Sequence, residues 1–141
     1  MNIIEQAVIF ATAAHTGQVD KNGQPYILHL LRVMLDVISQ GMSDKAVAAA
    51  VLHDVVEDKR ATLDSIREAF GSGVAVTVEY LSRREGELYF DYIDRVIRGG
   101  WIVRAITQAD IRDNMDLGRI TNEHGMYSRY AKAYLKIKEA G

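Results

Sequence analysis

Within the run Val51-Leu52-His53-Asp54-Val55-Val56-Glu57-Asp58, a histidine and an aspartate stand side by side, and two more carboxylates follow within four residues. A neutral imidazole and a carboxylate both ligate first-row divalent ions such as Mn²⁺, Zn²⁺ or Fe²⁺. If the run is helical, His53 stacks over Glu57 and Asp54 over Asp58. The stretch from Ala46 to Val56 is otherwise nearly all Ala, Val and Leu, so its helix is buried, and buried charges require partners or a metal. Taken alone, the pair fits equally well a helix end where acids meet solvent and His53 is a hydrogen-bonded core residue.

A metal site needs ligands from separate elements. His29 follows the turn-like Asn22-Gly23-Gln24-Pro25 and opens an apolar run. Asp110 lies in Ile106-Thr107-Gln108-Ala109-Asp110-Ile111-Arg112-Asp113-Asn114-Met115, where i to i+4 spacing aligns it with Asn114. Three expected helices therefore offer His29, His53-Asp54 and Asp110 in that order.

That order resembles the HD superfamily of metal-dependent phosphohydrolases. The blocks Ala14-His15-Thr16-Gly17-Gln18, Lys21-Asn22-Gly23-Gln24-Pro25-Tyr26-Ile27-Leu28-His29, Leu52 to Asp58, and Ala109-Asp110 with Asn114-Met115 narrow the resemblance. They are similar to the hydrolase domain of the RelA/SpoT family and its single-domain relatives, the small alarmone hydrolases. The resemblance implies an all-α, compact HD helical bundle. It also implies removal of the 3′-diphosphate from guanosine-type alarmones, usually with Mn²⁺. By position, His29, His53, Asp54 and Asp110 become metal ligands. Glu57 and Asp58 handle the water and the protons. Lys21 and Asn114 contact phosphate or sugar, and Tyr26 faces the substrate or packs. A bound divalent ion lowers the pKa of its water and polarises phosphoryl oxygens, and a carboxylate beside it can take the proton.

Three departures bear on the substrate. Asp20 stands where relatives carry an arginine thought to face the base, and a carboxylate neither stacks nor attracts phosphate. Thr107 replaces a lysine. Ile111-Arg112-Asp113 replaces Arg-Leu-His before Asn114. These changes predict an intact metal site with altered base preference, guanosine or adenosine. The alternatives are a general nucleotide phosphatase acting on 5′-phosphates and a nucleotide-sensing module without catalysis.

Bulk properties agree with a single domain over 1–141. The 48% hydrophobic and 26% charged content is that of a globular chain large enough to bury a core. The absence of cysteine excludes thiolate catalysis and thiolate zinc clusters. A formal net charge of −2 argues against general nucleic-acid binding. No segment has the length and apolarity of a membrane span, and the N-terminal stretch lacks a signal peptide's positive start, so a cytoplasmic location is the expectation.

One proline and long alanine-rich stretches favour helices throughout. They are expected at about Asn2 to Thr16, Leu28 to Gln40, and Ser43 through His53-Asp54 to Asp58-Lys59. Further helices are expected at Thr62 to Phe70, Val74 to Leu81, Leu88 to Arg98 and Trp101 to Met115. The last, about 123 to 139, is expected to turn Tyr127, Tyr130, Ala131, Tyr134 and Ile137 inward. Arg83-Arg84-Glu85-Gly86-Glu87 reads as a solvated break, with a basic lip over substrate phosphates as the alternative. His15 reads as structural, His124 as a surface histidine, and Arg129 and Lys132 as solvated charge, with contact to a substrate phosphate as the alternative.

Overall fold

The structure is a computed structural model that describes residues 1–116 and 125–141. Among the described residues the helices are α1 (Ile3–Ala14), α2 (Ile27–Ser39), α3 (Asp44–Val51), α4 (Leu63–Phe70), α5 (Ser72–Leu81), α6 (Tyr89–Arg98), α7 (Trp101–Asn114) and α8 (Met126–Ala140). Among the described residues there is no strand, and the extended backbone pairing is a single bridge between Val19 and Pro25 across the α1–α2 loop. The stretch near Val74, whose β-branched residues would also suit a strand, is helical.

α3 is the axle of the bundle. Every residue from Ala46 to Val51 is buried, and α1, α2, α5 and α7 all pack against it. Four alanines keep the helix thin, so its neighbours approach closely, and Ala is also the best helix former. Ser43 starts the helix by accepting the Ala46 N–H, and Asp44 sits in the positive first turn. The core around α3 includes Leu30, Val33 and Val37 of α2, Val78 of α5, and Val103 and Ile106 of α7.

The expected continuation of α3 through Asp58 does not occur. The helix ends at Val51, and residues 52–59 form successive turns. The His53 ring bonds at the break. Its Nδ1 lies 2.6 Å from the Ala50 carbonyl, so the ring donates to an acceptor close to the helix end. The backbone tightens there to three-residue bonds, His53 N–H to Ala50 O and Val55 N–H to Leu52 O. One helical bond returns, Asp58 N–H to Asp54 O. The chain then reverses at Lys59, which has φ of 57°, with the Arg60 and Ala61 amides both on the Val55 carbonyl. The stacking of His53 over Glu57 is therefore lost, while Asp54 and Asp58 keep their one-turn relation.

One other expectation changes. In α8 the buried residues are Ala133 and Ile137; Tyr130 and Tyr134 pack partly against the core, whereas Tyr127 is exposed. The helix start expected at about 123 and His124 lie outside the described residues.

Candidate metal centre

Three elements converge on one point. His29 projects from the first turn of α2, His53 and Asp54 from the turns after α3, and Asp110 from α7. One ligand atom from each lies within 4.8 Å of every other. His29 Nε2 is 2.9 Å from Asp110 Oδ1 and 3.7 Å from Asp54 Oδ2, and His53 Nε2 is 3.2 Å from both aspartates. Both histidines use Nδ1 elsewhere: His53 on the Ala50 carbonyl, His29 on Asp113 Oδ2 at 2.6 Å. Their Nε2 atoms thus both face the cluster. Two imidazole nitrogens and two carboxylate oxygens, nearly dry, form a donor set that suits Mn²⁺, Fe²⁺ or Zn²⁺.

The electrostatics follow from this packing. Burial opposes charge on His29 and His53, but the bonds from His29 to Asp110 and Asp113, and the charges of Asp54 and Asp110 beside His53, lift both above the usual histidine range. Burial likewise disfavours ionised Asp54 and Asp110, yet the adjacent histidines hold both carboxyls below the usual range. Tyr26 donates its hydroxyl to Asp54 Oδ2, and burial together with that anionic neighbour pushes its pKa far up. Asn114 Nδ2 donates to Asp110 Oδ1 at 3.2 Å. Tyr26 and Asn114, expected at the substrate, therefore also orient the two carboxylates of the cluster.

Glu57 and Asp58 flank the cluster differently. Glu57 lines a polar recess together with Asp54, Asp110, Thr107, Arg83 and Arg129. Its Oε1 accepts the Arg83 backbone N–H at 2.7 Å. Desolvation in the recess, then the charge of Asp54, pushes its carboxyl up to about 7, although the Arg83 amide pulls the other way. Asp58 accepts from Gln18 Nε2 at 2.9 Å, and Gln18 Oε1 is held by His15 Nδ1 at 2.7 Å. Burial and the charge of Asp54 raise Asp58 too. His15 thus has the structural task expected of it. Lys21 stays exposed in the α1–α2 loop. In the same loop, Asp20 turns its carboxylate onto the Asn22 and Gln24 amides.

Arg95 escaped the sequence reading, and two arginines read there mainly as solvated charge lie in the recess. Arg129 is half-buried, with its guanidinium 4.2 Å from the Tyr89 ring centre, and it lines the recess. The expectation of solvated charge is therefore corrected. Arg83 also lines the recess, so the 83–87 segment is more than a solvated break. Buried Arg95 organises that segment, bonding Glu87 and the Ser82 carbonyl. Nothing in the local sequence of Arg95 or Arg129 distinguishes them from surface arginines.

The sequence profile of the HD-domain family matches residues 7–90, more than half of the chain. The chain belongs to the HD-domain family. Among curated relatives, it is 41% identical over 80 residues to the guanosine-3′,5′-bis(diphosphate) 3′-pyrophosphohydrolase of Aquifex aeolicus, an overlap of 57% of this chain and 12% of that one. It is 38% identical over 80 residues to the bifunctional (p)ppGpp synthase/hydrolase SpoT of Escherichia coli, covering 57% and 11%. A probable GTP pyrophosphokinase of Mycobacterium leprae is 32% identical over 117 residues, covering 80% and 14%. The chain thus spans about an eighth of the length of these relatives. Its fold matches that of a metazoan SpoT ortholog described as hydrolysing ppGpp, with TM-score 0.82, 21% identity, and coverage of 97% of this chain and 85% of that one. The all-α HD architecture is thereby established, and the HD fold implies a divalent metal. No described helix is long and apolar enough to cross a membrane.

Proposed function

We propose that this HD domain is a Mn²⁺-dependent pyrophosphohydrolase that removes the 3′-diphosphate from guanosine or adenosine alarmones. One observation carries the proposal: the His29, His53, Asp54 and Asp110 cluster opens into a recess that also holds Glu57, Arg83 and Arg129. The nucleotide specificity named for its relatives supports the substrate class.

In this reading the four clustered side chains hold the ion, which when bound supplies a polarised phosphoryl oxygen and an acidified water. Glu57 takes the proton of the attacking water. A carboxylate with a pKa raised toward neutrality is well matched to that task. Its second oxygen can face the water while the Arg83 amide fixes the first. Asp58, pinned by Gln18, maintains negative charge beside Asp54 and hands protons on. The water oxygen bonds to the phosphorus next to O3′ and the P–O3′ bond breaks; O3′ takes up the proton that Glu57 removed from the water, passed on through Asp58, and pyrophosphate carrying the water oxygen leaves. Arg83 and Arg129 bind the diphosphate, and Lys21, Asn114 and Tyr26 complete the phosphate and sugar contacts. Because positioning and charge stabilisation dominate phosphoryl transfer, such a small set suffices.

Base choice is where this chain differs from its relatives. Asp20 is engaged with its own loop amides and offers the base no cationic plane, which favours relaxed or adenine-shifted selectivity. The test loads metal-depleted protein with Mn²⁺ and supplies guanosine and adenosine 3′-diphosphate alarmones in parallel. Pyrophosphate from either is the expected product. Orthophosphate from 5′-nucleotides, with the alarmones untouched, would replace this reading by a general phosphatase. Tight alarmone binding with no product would replace it by a sensor.

A further inference from the structure

We infer that Asp113 is the positioning residue of the metal centre, fixing His29 through Nδ1, and that Arg32 locks Asp113 in place. The inference rests on the reading of the cluster as a metal centre. Asp113 occupies a position that the sequence resemblance marks only as a departure.

The geometry is a three-part chain across two helices. Asp113 Oδ2 is 2.6 Å from His29 Nδ1. Arg32 Nε donates to Asp113 Oδ1 at 2.7 Å, and its Nη2 lies 3.3 Å from Oδ2. Side-chain exposure is 1% for His29, 10% for Asp113 and 43% for Arg32, so the chain runs from the dry centre outward. Its spacing is reciprocal. On α7, Asp113 follows Asp110 by three residues; on α2, Arg32 follows His29 by three. Residues three apart share a helix face, and α2 packs directly on α7. Each helix thus supplies one cluster residue and, one turn later, one residue of the support.

Three consequences follow from carboxylate chemistry. An ionised Asp113 accepts only, so it requires the Nδ1–H form of His29 and leaves the Nε2 lone pair for the cluster. Its charge makes the imidazole a stronger donor toward a cation, and such outer partners typically matter 10- to 100-fold in metal affinity. The Arg32 fork binds both carboxylate oxygens, which keeps Asp113 on the Nδ1 side and prevents it from swinging in as a competing ligand. His53 needs no such side chain, because the Ala50 carbonyl does the same work.

The test is Mn²⁺ titration of the chelator-stripped full chain without substrate, following free Mn²⁺ by its electron paramagnetic resonance signal. Asp113→Ala is expected to weaken binding roughly 10- to 100-fold. Asp113→Asn, which keeps an acceptor but not the charge, should weaken it less, and Arg32→Gln least. As a second readout, in Zn²⁺-loaded protein the His29 Nδ1 proton should give a downfield imidazole resonance. That resonance should shift upfield in Asp113→Asn and be lost to solvent exchange in Asp113→Ala. Unchanged affinity and an unchanged resonance in Asp113→Asn overturn the inference even if the alanine variant does not fold. Wild-type protein that binds no divalent ion overturns the metal centre itself, and the positioning role with it. Wild-type binding that the variants leave intact overturns the positioning role alone.

Discussion

At the residue scale, the candidate site divides its labour among three carboxylates of similar intrinsic chemistry. Asp54 faces two histidines and is held below the usual carboxylate range. Glu57, three residues on, faces a recess and the charge of Asp54, and is raised to about 7. Asp58 is held by Gln18. Asp54→Ala is expected to abolish Mn²⁺ binding and turnover together, whereas Glu57→Gln should keep the ion and lose rate, by about 10²- to 10⁴-fold for a general base. Wild-type turnover by Glu57→Gln would remove Glu57 from that role. The raised pKa also has a sign for stability. Protonated Glu57 favours the folded, metal-free protein below its ordinary value of 4.5, and that contribution is lost as pH rises through about 7. Glu57→Gln should therefore raise the melting temperature of metal-free protein above neutral pH and leave it unchanged in acid. Solvent at the mouth of the recess keeps the gain modest.

At the element scale, the decisive event is that α3 stops. A helix running through Asp58 would carry His53 and Glu57 on one face. The turns after Val51 instead send His53 to the ligand cluster and Glu57 to the Arg83 amide. The partner segment, residues 82–88, is held from beneath by Arg95, which bonds the Glu79, Tyr80 and Ser82 carbonyls and both Glu87 oxygens. The Arg95 bonds hold the Glu87 carboxyl down at about 2. A lowered folded-state pKa contributes stability above the ordinary 4.5 and loses it as pH falls toward 2. Glu87→Gln should thus melt earlier than wild type at neutral pH, with the gap closing progressively in acid. Loosening this segment also frees the Arg83 amide, so a fall in turnover without loss of Mn²⁺ affinity should accompany it. A pH-independent gap would assign the effect to packing.

At the scale of the whole molecule, the N-terminal part and α7 meet at the His29, His53, Asp54 and Asp110 cluster, and α8 reaches the recess beside it. The family match ends at residue 90, before Asp110 and before the α8 residue Arg129. Arg129→Ala is expected to raise KM for an alarmone several-fold while sparing Mn²⁺ affinity. Unchanged KM would return Arg129 to a packing role over Tyr89. Because the cluster joins α2, α7 and the turns after α3, metal binding should couple to global stability. Mn²⁺ at a hundred times its dissociation constant should add about 2.7 kcal/mol, seen as a rise in melting temperature that chelation reverses. A melting temperature indifferent to chelation would contradict a centre that ties these elements together.

The sequence alone determined the helical class, because 3.6-residue periodicity, caps and scarce proline are local signals. It also supplied His29, His53, Asp54 and Asp110, because their order and flanking motifs resemble those of the HD superfamily, whereas His53-Asp54 by itself fits a helix end equally well. It placed Glu57 and Asp58 beside them by proximity in the chain. Tertiary structure decided the rest. Only the structure showed that α3 ends at Val51, with the His53 ring on the Ala50 carbonyl. Only the packing of α2 on α7 turned Asp113 from a substituted position into a partner of His29. Only the approach of α8 to α6 brought Arg129 over Tyr89 and into the recess. An arginine or aspartate is ambiguous in one dimension, since solvent, a salt bridge and a ligand satisfy it equally well; the neighbours that choose among them lie dozens of residues away.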